Sequence, residues 1–158
     1  MFHPLTPSDL HLLNRPSTMN RNAILVSVTG LLAATLIAAE HDNAYKVDVS
    51  KLPPVSSRQN VTFATDIKPL MEKSCVKCHS GERPKGRLKL DTLENALKGG
   101  GSGKAIIAGK SAESPIVGYT ADLITDMEMP PVDKRTEFPA LTKEQVGLLR
   151  AWIDQGAK

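Results

Sequence analysis

Cys75-Val76-Lys77-Cys78-His79 is the stretch on which the reading of this chain turns. Two cysteines three positions apart, with a histidine directly after the second, can be used in several ways. A zinc site needs four ligands, and this cluster offers three. A thioredoxin-like redox pair follows a strand in a βαβ setting, whereas the residues before Cys75 have a helical pattern. A disulfide across so short a loop is possible but gives little packing reason for the histidine. The spacing C-x-x-C-H is itself the c-type haem attachment signature. Two thiols about one turn apart at a helix end can each form a thioether to a haem vinyl group. The adjacent imidazole then becomes the proximal axial ligand of the iron.

Upstream, Ile67, Leu70 and Met71 share one helical face, and Pro69 fits only a first turn. A helix is therefore expected from about Thr65-Asp66 into Cys75. Downstream, residues 80–87 read as a Gly/Pro/Lys loop and Leu88-Lys89-Leu90 as a short extended piece. Asp91-Thr92-Leu93-Glu94 resembles a capping-box start, with Gly99 as the stop. Ser114-Pro115 opens another short helix with proline at its first position. Residues 121–140 are irregular around Met129-Pro130-Pro131. The clearest helix begins at the capping box Thr142-Lys143-Glu144-Gln145. It carries a Val146, Leu149, Ile153 stripe beside Leu148 and Trp152, and it ends at Gly156. There is no strong strand run, so the fold class is mainly α, with several short helices in long loops.

Ala23 to Ala39 is an uncharged, mostly apolar run of seventeen residues, preceded by Arg21 and followed by Glu40. It reads as a secretory signal peptide with cleavage after Ala39. A short membrane anchor is the alternative, at the lower limit of spanning length. The expected organisation is 1–39 as N-terminal extension plus leader, with the true start at Met1 or Met19. Residues 40–60 follow as an extended tether and 61–158 as the domain. The leader takes away His3 and His11, and His41 lies at the new N-terminus, so His79 is the histidine left in the folded part.

A second axial ligand has to come from elsewhere. Met129 leads, because Pro130 restricts its backbone to extended conformations and stiffens the loop. Met127 is the fallback, Met71 suits core filling better, and a lysine or an open iron completes the choices. Histidine/methionine ligation raises the reduction potential and suits electron transfer.

Composition removes other classes. The 158 residues include two Cys, four His and five Met, with 41% hydrophobic and 23% charged residues. That is too little cysteine for a disulfide scaffold. The net charge of +3, with 20 basic and 17 acidic residues, does not point to nucleic acid. Only 4% of residues are aromatic, which fits a core whose largest piece is a cofactor. The glycine-rich Gly99–Lys104 lacks Gly at 98 and Ser or Thr at 105, so it is not a phosphate-binding loop. Basic residues crowd 68–89, whereas 111–133 holds five acidic residues and no Lys or Arg. That pattern is either solvated surface or a dipole that steers partners.

From Val61 to Lys158 the chain resembles the planctomycete-type cytochrome c domain, a branch of the class I cytochrome c superfamily. The matching stretches begin with Phe63-Ala64-Thr65-Asp66-Ile67-Lys68-Pro69, the C-x-x-C-H, and Lys85-Gly86-Arg87-Leu88-Lys89-Leu90-Asp91. They continue with Ala96-Leu97-Lys98-Gly99-Gly100, Ile107-Ala108-Gly109-Lys110, Met129-Pro130-Pro131 and Leu148 to Ala157. The resemblance implies a cytochrome c-like fold around one covalently bound haem c, with crossing N- and C-terminal helices. It implies thioethers at Cys75 and Cys78, His79 as proximal ligand and Met129 as distal ligand. The expected function is that of an exported, periplasmic mono-haem electron carrier, not an enzyme. Its partners would be redox proteins: a dehydrogenase, an oxidase or another cytochrome. No nucleic acid is expected, and membrane association would run through residues 23–39 if the leader stays uncleaved. A haem-based module that binds or senses a small ligand is the alternative.

Overall fold

The computed structural model describes residues 46–158. The leader and the first residues of the tether lie outside the described residues. Among those described there is no strand, only an isolated bridge between Gly100 and Gly103. The mainly α expectation holds. The α-helices are α1 (Lys68–Ser74), α2 (Leu93–Lys98), α3 (Pro115–Thr120) and α4 (Lys143–Asp154), with short 3-10 turns between them.

The first helix starts with one π-helical turn, Phe63–Ile67, that runs directly into α1. Its entry is built by reciprocal bonds. Thr62 Oγ1 accepts from the Thr65 N–H, and the Asp66 carboxylate accepts from the Thr62 N–H at 2.8 Å. This is the logic of a capping box, stretched by one residue to fit the wider turn. Pro69 falls in the opening turn of α1, where its missing N–H costs little.

The last helix, α4, has the expected capping box, with Thr142 and Gln145 exchanging bonds of 3.3 and 2.9 Å. Its stripe buries Val146, Leu149, Trp152 and Ile153 completely or nearly so. Trp152 packs on Phe63 with ring centroids 5.8 Å apart at 45°, a tilted arrangement that suits aromatic quadrupoles. The main-chain oxygen of Lys158 accepts from both the Phe63 N–H and the Trp152 indole N–H, each at 2.9 Å. The first and last helices are thus joined by a filled apolar contact with its polar edges satisfied. After α4 the chain turns at Gly156, whose φ of 97° needs glycine.

Residues 46–60 are irregular or extended apart from one 3-10 turn, Val49–Lys51, with a left-handed Asn60 at the end, and they lie against α4. Leu52 is buried in the core. The Ser56 N–H donates to the Gly147 carbonyl oxygen at 3.0 Å, and Arg150 donates to the Pro53 carbonyl oxygen. A Cβ at position 147 would stand 2.5 Å from the Pro54 carbonyl oxygen, so this close approach requires glycine inside the helix.

Candidate functional site

The C-x-x-C-H forms the turn that closes α1. The Cys75 N–H donates to the Met71 carbonyl oxygen at 2.8 Å. The Cys75 carbonyl oxygen then accepts from Cys78 at 3.1 Å and from His79 at 3.0 Å. Helical bonding therefore continues just long enough to bring both sulfurs and the imidazole round one turn. The next loop holds this turn in place. The Cys78 carbonyl oxygen accepts from Lys85, and that of His79 accepts from Leu90 at 2.8 Å.

Cys75 and Cys78 are both free thiols. Cys75 is buried, and that burial, aided by the neighbouring Cys78, pushes its thiol up to about 12. Burial thus favours its neutral thiol form. His79 is half-buried. Burial holds its imidazolium below the ordinary value, against the backbone carbonyl groups of Leu88 and Lys85. Its Nδ1 lies 3.2 Å from the Leu88 carbonyl oxygen. A carbonyl can only accept, so Nδ1 carries the hydrogen and Nε2 keeps its lone pair. Metal-ligating histidines are commonly fixed in this way.

These groups border one cavity of about 730 Å³, within the range of pockets that enclose a cofactor-sized molecule. Leu88, Leu90, Ile116, Tyr119, Ile124 and Phe138 supply much of its apolar wall. The structure brings Cys75, Cys78, His79 and Met129 together at this cavity. Met127 also borders it but is 43% exposed. Met71 is 1% exposed and sits in the core cluster, away from the cavity wall. A flat, largely apolar group with two vinyl carbons and a metal that accepts nitrogen and thioether donors fits this set. Two free thiols, one imidazole nitrogen directed by its partner and a methionine stand on the same cavity.

Met129 is placed by the chain around it. Its N–H donates to the Tyr119 carbonyl oxygen at 2.9 Å, and its bond to Pro130 is cis. Pro130 is buried, and Pro131 begins the turn Val132–Lys134 that leads to Phe138. Arg135 and Phe138 carry no motif that singles them out, and sequence reading did not find them. Their roles come from a loop that doubles back, a tertiary fact with no periodic signal.

Charge near the cavity is one-sided. Among the described residues, Lys46, Lys77, Lys85, Lys104 and Lys134 border it, against Glu137. Part of the acidic stretch is meanwhile taken up by ion pairs. Glu113 pairs with Lys110, Asp122 with Arg135 and Asp133 with Lys134.

Comparison with known proteins agrees with the motif. Residues 75–133 match the family model of planctomycete cytochrome C. The match begins at the first cysteine and includes Met129-Pro130-Pro131, while α4 lies beyond it. No curated protein matches the chain. A solved structure titled Kuenenia stuttgartiensis Hydrazine Synthase aligns at 22% identity with a TM-score of 0.39. The alignment covers 61% of this chain and 16% of that one.

Proposed function

We propose that this planctomycete-type cytochrome c domain carries one haem c and works as a single-electron carrier, with His79 and Met129 as axial ligands. The observation that carries the reading is that both thiols, the oriented His79 imidazole and Met129 stand on one apolar cavity. When bound, haem iron supplies reversible one-electron chemistry, at a potential raised by histidine/methionine ligation. The chain's residues do the rest. Cys75 and Cys78 tether the group through two thioethers, so a modest pocket suffices to keep it. Leu88 fixes the imidazole through its carbonyl oxygen. Leu90, Ile116 and Phe138 exclude water from the apolar faces. One haem is expected because the chain has a single C-x-x-C-H.

The lysines at the cavity border favour encounter with an acidic face of a redox protein, such as a dehydrogenase, an oxidase or another cytochrome. Such steering weakens as ionic strength rises. Export through the Ala23–Ala39 leader places the protein where c-type haem is attached. No helix among the described residues is long and apolar enough to cross a membrane.

The test is expression with a haem-maturation system, followed by optical spectroscopy. A c-type pyridine haemochrome is expected, together with a weak far-red band of the ferric protein that vanishes in Met129→Ala. A high-spin ferric spectrum in the wild type would overturn the two-ligand assignment and favour a small-ligand binding module. A far-red band that survives Met129→Ala would move the distal ligand to Met127.

A further inference from the structure

The loop between α3 and the Val132–Lys134 turn is tied at both ends by one side chain. Arg135 Nη1 and Nη2 donate to the two carboxylate oxygens of Asp122 at 2.8 and 2.6 Å. The same guanidinium donates through Nε to the Pro130 carbonyl oxygen at 3.0 Å. Asp122 stands just after α3, with a left-handed φ of 57°, and Pro130 directly follows Met129. Arg135 therefore fastens the start of the loop to its end. The Met129 N–H on the Tyr119 carbonyl oxygen fastens the same residue from its other side. A planar guanidinium can fill these three positions at once, whereas an ammonium group is a point charge without that fork. The pair is open to solvent on its Asp122 side, with side chains 25% exposed at Arg135 and 41% at Asp122.

We infer that Arg135 is a positioning residue for Met129, holding the loop so that the thioether stays at the cavity and competing ligands stay off the iron. The inference rests on the reading of Met129 as distal ligand, and Arg135 itself touches neither haem nor iron. An added ligand can enter only when Met129 leaves. Its apparent affinity is its intrinsic affinity multiplied by the fraction of molecules with Met129 away. Releasing one end of the loop raises that fraction. It therefore tightens binding of an outside ligand without changing the haem attachment residues.

The experiment uses the full chain loaded with haem and titrates the ferric protein with imidazole, following the far-red band. Arg135→Gln is expected to bind imidazole roughly tenfold or more tightly than wild type, with a weaker far-red band. Arg135→Lys should recover only part of the difference. Asp122→Asn leaves Arg135 and its bond to Pro130 in place. It should show a smaller shift in the same direction, and it carries the test if Arg135→Gln does not load. Lys110→Gln removes a comparably short surface pair, 2.9 Å from Glu113, and should titrate like wild type. Wild-type affinity in Arg135→Gln and Asp122→Asn, while Met129→Ala binds tightly, overturns the inference. If Met129→Ala itself keeps the band and the wild-type affinity, the ligand assignment fails and this inference fails with it.

Discussion

The two ends of the first helix make opposite uses of apolar side chains. At its start, Phe63 packs on Trp152, and Ile67 and Leu149 belong to the same core cluster, all four buried. At its close, Cys75, Cys78 and His79 face a cavity with largely apolar walls and a border of lysines. The few aromatics divide the same way. Phe63 and Trp152 build the packed end, whereas Tyr119 and Phe138 stand on the cavity. The packed end sets stability and places the helix. The cavity end gathers the candidate site, and its residues are held by loops more than by helices.

This division makes separable predictions. Trp152→Ala should produce the largest loss of stability, about 3–5 kcal/mol in denaturant unfolding of the haem-loaded protein. The far-red band of the molecules that remain folded should be unchanged. Loss of the band in those molecules would show that the two ends are not independent. Gly147→Ala comes next. Its Cβ would meet the Pro54 carbonyl oxygen at 2.5 Å, so residues 46–60 must shift, at about 1–3 kcal/mol. Limited proteolysis should cut that segment sooner than in wild type, and an unchanged cleavage rate would contradict the close approach.

Thr142→Ala removes the capping bond at the start of α4 and should cost about 1 kcal/mol, again without spectral change. The smallest effect concerns pH. The Asp66 carboxyl is held below its ordinary value of 3.8, first by the Thr62 N–H and the Thr65 hydroxyl, with Arg58 adding charge. Such a group stabilises the fold fully above its unfolded value and stops doing so as pH falls through its lower folded value. The stability advantage of wild type over Asp66→Asn should be constant near neutral pH and shrink below about pH 4. An advantage that grew on acidification would contradict the arrangement around Thr62.

Much of the packed end was legible because it rests on short-range rules. The capping box at Thr142, the Val146–Leu149–Ile153 stripe and proline at the head of α3 are local patterns with local causes. The grouping of Cys75, Cys78 and His79 on one turn was legible for the same reason, since their spacing is about one helical turn. Less could be read where distant segments meet. Gly147 looks like a weakness in a helix until the Pro54 carbonyl oxygen lies against it. Asp122 and Arg135 look like ordinary surface charges until the loop folds back on itself. The basic and acidic stretches were visible as composition, but pairing at Glu113, Asp122 and Asp133 changes what the acidic one can do.

The most direct test is the intact mass of the denatured chain after co-expression with a haem-maturation system. The wild type should gain the mass of one haem that survives unfolding. Cys75→Ser/Cys78→Ser should gain none. A wild-type chain that comes out bare, or a double variant that still carries the added mass, would contradict the account.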